Sequence, residues 1–261
     1  MKQYIVDAFT DKPFHGNPAA VLVTDRWLSD EMMQAIAAEN NLAETAFVVQ
    51  EGERYRIRWF TPMTEEELCG HATLAASFVL LTFFEPDADA VRYTSVSGDL
   101  SVRRVGDRFE LNFPTYELKE IPVTDAMERA FGARPVHAFL GLDLNCVFRD
   151  EETVRSLTPD YELLKQLPGR IWNATAKGSE YDCVSRSFTP ETTVPEDPVC
   201  GSAHCQIADW WAKALGKKII RAYQASARGG ELECEPLGGG RIALRGKAVL
   251  VAKSEIVVPV S

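Results

Sequence analysis

Two stretches of one design, LCGHATLAAS at residues 68–77 and VCGSAHCQIA at 199–208, lie 131 residues apart in a chain of 261. Cys69, Gly70 and Ala72 recur as Cys200, Gly201 and Ala203, while His71 is replaced by Ser202. The correspondence extends outward. Phe60-Thr61-Pro62 recurs as Phe188-Thr189-Pro190, Glu66 falls over Asp197, and GDLSVRRVGDRFEL (98–111) resembles GGELECEPLGGGRIAL (229–244). Solenoid repeats have periods of roughly 20–50 residues, so a single offset this long predicts two copies of one domain. We place them at residues 1–116 and 117–261, joined by a linker near 114–123. The C-terminal strands are free to cross back, and the expected site is the cleft between the copies.

Within the first copy, YIVDAFT, AAVLVT, TAFVVQ and YRIRWFT are rich in β-branched and aromatic residues and predict strands. RYRIRW alternates basic with apolar positions, as a half-buried antiparallel strand does. SDEMMQAIAAEN predicts a helix capped by Ser29 and stopped at Asn40-Asn41, with Met32, Met33, Ile36 and Ala37 as its apolar stripe. A second helix, apolar nearly all round and therefore buried, is expected from about Cys69 to Phe84. The second copy repeats the scheme, with a short helix at YELLKQL, a strand at EYDCVSRSF and a central helix closed by Gly216. The pattern is an α+β (α/β) fold, mostly antiparallel strands with one buried helix per half.

Composition narrows the function classes. The apolar run LAASFVLLTFF stops at Glu85-Pro86, short of the roughly 20 residues that span a bilayer, and the charged N-terminus is no secretory signal. A cytoplasmic location without membrane contact is expected. Net charge is −10 and the basic residues are scattered, which argues against a nucleic-acid partner. Six cysteines in a chain this long do not form a disulfide framework and are expected as thiols.

The doubled stretch has a chemical reading. A Cys-Gly-x-Ala helix start exposes unpaired N–H groups and the positive end of the helix dipole, and glycine lets a ligand approach the backbone. Such a terminus seats a carboxylate. Chemistry beside a carboxylate needs a base for a weakly acidic C–H and stabilisation of the carbanion, and neither requires a metal or organic cofactor. Cys69, His71, Cys200, His204 and Cys205 match no common zinc spacing, so no metal is expected. Both thiols sit where a helix dipole would lower their pKa.

GNPAAV (16–21), NLAETAFV (41–48), FTP with LCGHATLA (60–62, 68–75) and EDPVCGSAH (196–204) occur in this order along nearly the whole chain. Together they resemble the signature set of the PhzF-like isomerases of phenazine biosynthesis. The resemblance implies the diaminopimelate epimerase-like fold: two pseudo-symmetric domains, each a curled, mostly antiparallel, barrel-like sheet around a central helix. It implies Glu44 as the proton-shuttling acid/base, with His71 and Asp197 as further catalytic residues. Ser202 and Asn17 would contact the substrate, and the Gly70 and Gly201 N–H groups would hold the carboxylate of an amino acid-like or cyclic substrate. It also suggests a homodimer.

Two alternatives stay open. Related epimerases and proline racemases move the proton with two cysteines, one at each such helix start, and Cys69 and Cys200 occupy both positions here. An inactive relative that binds a metabolite or a protein is the other. Each site residue also has a structural reading: a solvated carboxylate for Glu44, helix-start capping for His71 and Ser202, turn chemistry for Asp197, and packing for the cysteines.

Overall fold

The computed structural model describes residues 1–192 and 194–257 and divides into two compact units, residues 1–112 with 245–257, and residues 113–244. The first unit holds β1 (Lys2–Ala8), β2 (Asn17–Thr24), α1 (Asp30–Asn40), β3 (Glu44–Glu51), β4 (Arg54–Phe60), β5 (Glu65–Glu66) and α2 (Gly70–Val79). It continues through β6 (Ala90–Ser95), β7 (Gly98–Val105) and β8 (Arg108–Pro114), and is joined late by β18 (Ala248–Glu255). The second unit holds β9 (Lys119–Ile121), α3 (Asp125–Phe131), β10 (His137–Leu140), β11 (Leu144–Val147), α4 (Glu151–Ser156), α5 (Tyr161–Leu164), β12 (Trp172–Lys177) and β13 (Cys183–Phe188). After these come β14 (Glu196–Asp197), α6 (Gly201–Leu215), β15 (Ile220–Gln224), β16 (Gly230–Gly238) and β17 (Arg241–Gly246).

The first unit's sheet runs β18-β1-β2-β3-β4-β6-β7-β8, with β2–β3 and β4–β6 parallel and the other neighbours antiparallel. In the second unit the order β9-β10-β11-β12-β13-β15-β16 has parallel pairs at β11–β12 and β13–β15. Six successive pairings therefore run antiparallel, antiparallel, parallel, antiparallel, parallel, antiparallel in both units. Each parallel pair needs a crossover. In the first unit the crossovers are α1, between β2 and β3, and α2, between β4 and β6; in the second, α6 joins β13 to β15.

Local chemistry accounts for these elements. In β4, Tyr55, Ile57 and Trp59 are buried while Arg54 and Arg56 face outward, the period of two expected of a sheet with one covered face. In α1, Ser29 Oγ accepts the Met32 N–H, and the helix ends where Asn41 takes the left-handed conformation at φ 48°. Met33, Ile36 and Ala37 pack on Leu22, Phe47 and Phe60, and burying Met33 or Ile36 contributes about 2 kcal/mol each. Helix α2 is buried on nearly every side against β1, β2 and β3, and its last turn widens into a π-helical turn at Leu80–Phe84.

In the second unit, Cys146, Ala174, Ala176 and Val184 point to α3, α4 and α5, where Met127, Phe131, Val154 and Leu164 complete a core. The alternate positions carry polar side chains. Ser185 Oγ meets His204 Nε2 of α6 at 3.2 Å, Thr175 Oγ1 accepts the Trp211 Nε1–H at 2.9 Å, and Asn145 donates to Gln206 Oε1 at 3.4 Å. The expected linker is not featureless: β9 lies inside it and pairs with β10. Among the described residues no helix is long and apolar enough to cross a membrane.

Candidate active site

The first unit gathers four side chains from three elements. Glu44 opens β3, three residues after the left-handed stop of α1, and is paired with Ala19 of β2. Asn17 opens β2 opposite Ala8. The residue before it must be glycine: Gly16 has φ +65°, and a Cβ there would lie 2.1 Å from the Ala8 carbonyl oxygen. Cys69 caps α2 in extended conformation, and Gly70 and His71 are the first two helical residues. Thr73 Oγ1 donates to the Cys69 carbonyl at 2.5 Å, which fixes the first turn.

His71 sits at the centre. Its Nε2 is 2.9 Å from Glu44 Oε2, and its Nδ1 is 3.1 Å from the Asn17 amide nitrogen and 3.6 Å from Cys69 Sγ. The His71 side chain is 6% exposed and that of Glu44 18%, so the carboxylate is sheltered without being sealed. Burial opposes a charge on the ring. Against it, the charge of the neighbouring Glu44 carboxylate raises the imidazole above the ordinary histidine range.

The second unit builds its helix start differently. Cys200 caps α6, followed by Gly201 and Ser202, whose Oγ is 3.4 Å from Cys200 Sγ. The approach to the helix is pinned atom by atom. Asp197 Oδ1 accepts the Val199 N–H at 3.0 Å, Gln224 accepts the Cys200 N–H at 2.8 Å and donates to the Asp197 carbonyl, and Ser226 Oγ donates to the Pro198 carbonyl at 2.7 Å. His204 Nδ1 meets the Cys200 carbonyl at 2.7 Å, the position that Thr73 serves in α2.

The expected lowering of the thiol pKa values is overturned. Burial, then the Glu44 charge, pushes Cys69 up to about 11, and burial, then Asp197, raises Cys200 well above its ordinary value. A helix terminus contributes roughly 0.3–1 kcal/mol, whereas full burial shifts a group by up to several pKa units. Desolvation wins, and both thiols are protonated at neutral pH.

Glu44, Cys69 and His71 offer ligand atoms within 4.8 Å of one another. They do not converge on one ion, because the ring addresses Cys69 through Nδ1 and Glu44 through Nε2, whose lone pairs diverge. The arrangement is a carboxylate–imidazole pair with an amide and a thiol behind the ring.

Comparison with known proteins identifies the family. Residues 6–254 match the family profile described as phenazine biosynthesis-like protein, PhzC-PhzF. The chain belongs to this PhzF family. An uncharacterized isomerase of Pseudomonas aeruginosa is 49% identical over 252 residues, 96% of each chain. A PhzF-family protein of Enterococcus faecalis, solved by crystallography, is 46% identical, covers 98% of this chain and 99% of its own, and superposes with a TM-score of 0.95. The fold reaches further than the sequence. A probable proline racemase from Agrobacterium radiobacter, solved with bound carbonate, has a TM-score of 0.68 at 9% identity, covering 98% of this chain and 93% of its own. The PhzF-family chain thus carries the epimerase-like α+β fold in curled, open sheets, within a family whose relatives are named isomerases.

Sequence reasoning missed Gln224, Ser226 and the role of His204. Their signal was weak: each is one polar residue in a strand, loop or helix, and only the folded chain shows that they bind consecutive backbone groups.

Proposed function

We infer that this PhzF-family protein is a cofactor-independent isomerase that shifts a proton between two carbons of a small carboxylic acid, amino acid-like or cyclic. Glu44 is the general acid/base. It takes the proton from a carbon made acidic by conjugation or by the neighbouring carboxylate, and returns it at a second carbon, so charge and atoms balance without a redox step. His71, behind it, supports the charged carboxylate and steadies its orientation. The Gly70 N–H at the start of α2 and the Gly201 N–H at the start of α6 are each a candidate seat for a carboxylate, and Ser202 and Asp197 are further polar groups at the start of α6.

The observation that carries this reading is the 2.9 Å contact between Glu44 Oε2 and His71 Nε2 in a sheltered position that retains some access. The two-cysteine alternative loses support from the upward-shifted thiols. The test is exchange of substrate C–H for deuterium in heavy water across a panel of small unsaturated and cyclic acids. Wild-type protein is expected to label at least one acid. Glu44→Gln is expected to bind that acid and lose labelling by about 100-fold or more, as removal of a general base does. Undiminished labelling by Glu44→Gln refutes the mechanism, and no exchange with any acid favours a binding role.

A further inference from the structure

We propose that Asn17 is a positioning residue that decides which nitrogen of neutral His71 carries the proton, and thereby keeps the ring N–H on the side nearest Glu44. Its catalytic meaning rests on the Glu44–His71 reading above.

A neutral imidazole has one donor and one acceptor nitrogen, and its partners choose between them. Two groups address Nδ1, the Asn17 amide nitrogen at 3.1 Å and Cys69 Sγ at 3.6 Å. The amide nitrogen can only donate, and a protonated thiol offers its S–H. Both favour Nδ1 as acceptor. The ring proton is left on Nε2, the nitrogen 2.9 Å from Glu44 Oε2. The Nε2–H then lies on the side of the ring nearest the Glu44 carboxylate, and the Asn17 amide on the opposite side.

Asn17 is built to hold this role. It is fully buried, opens β2 opposite Ala8, and follows the sterically obligatory Gly16. The groups facing the ring are Asn17 from β2, Glu44 from β3 and Cys69 from the start of α2. Of these only Asn17 presents an amide. A second proton on His71 must go to Nδ1, which obliges the amide to turn its oxygen inward. Asn17 therefore also links the charge of His71 to its own orientation.

The test is spectroscopic and needs no substrate. Protein labelled with 15N-histidine contains four rings, His15, His71, His137 and His204, and a His71→Gln sample assigns the one of interest. Two-bond 1H–15N spectra recorded above the titration of His71 are expected to show the Nε2–H tautomer. Asn17→Leu, nearly isosteric and without a donor, is expected to give a mixture of tautomers. Asn17→Asp, which places an anion at Nδ1, is expected to move the His71 titration upward. A neutral wild-type ring protonated on Nδ1 overturns the proposal, as does an unmixed Nε2–H tautomer in folded Asn17→Leu. Should Asn17→Leu not fold, the Asn17→Asp titration decides, and an unmoved midpoint counts against the proposal. Deuterium labelling reads Glu44 separately, so an inert enzyme with the Nε2–H tautomer defeats the functional reading and leaves this inference standing.

Discussion

At the scale of single residues, the dominant force on the titratable groups is burial, and its direction differs with the partners. His71 is raised by the charge of Glu44 against desolvation, whereas His204, fully buried against Ser185 and the Cys200 carbonyl, is pushed down to about 4. The consequences for stability have opposite signs. The His71 contribution is complete below the unfolded value of about 6.5 and is lost as pH rises through the raised folded value. The difference in melting temperature between wild type and His71→Gln is expected to be largest near pH 6 and to shrink on the alkaline side. His204 costs stability as pH falls from about 6.5 towards 4, by an amount on the order of 3 kcal/mol once both states are protonated. His204→Asn is expected to flatten that acid limb in urea titrations at pH 7 and pH 4.5. The buried thiols are expected to alkylate slowly at pH 7.5, and Cys69→Ser/Cys200→Ser is expected to retain deuterium labelling of any acid that wild type labels. Loss of labelling in that double variant, with folding intact, would move the chemistry to the thiols.

At the scale of elements, legibility followed the strength of the local signal. The Ser29 cap, the Asn41 stop and the alternation in β4 are written in residues that act on their immediate neighbours, and all three could be read directly. The starts of α2 and α6 could be read because glycine follows cysteine in a duplicated context. The far end of α2 could not: its apolar residues gave no sign that Leu80–Phe84 would widen into a π turn. Nor could the polar face of the second sheet, since Asn145, Asn173, Ser185 and Ser187 alternate with apolar residues as solvent-facing positions do, yet all four are fully buried. Among them Asn173 Oδ1 and Ser187 Oγ have no hydrogen-bond partner among the described residues. Leaving a buried polar atom unmet costs roughly 1–3 kcal/mol, so a high-resolution crystal structure is expected to show ordered water there. Ser187→Ala, which removes the need for such a partner, is expected to change stability by less than about 1 kcal/mol. Gln224→Leu should cost about 2 kcal/mol or more, because it strands the Cys200 N–H and the Asp197 carbonyl together.

At the scale of the whole molecule, the fold was accessible from sequence because four motifs in order span the chain, and the family match over residues 6–254 has the same extent. The C-terminal strands were left free to cross back, but no residue marked which strand does so or what it pairs with. The first unit takes its final strand from the far end of the sequence, where β18 pairs along the full length of β1. During synthesis the ribosome therefore delivers every strand of residues 113–244 before β1 receives that neighbour. Until then β1 presents a bare row of amides and carbonyls, the kind of border that recruits foreign chains. A polypeptide ending at residue 244 is thus expected to accumulate as aggregate, and fusing residues 245–257 directly behind residue 112 should return the first unit to solution.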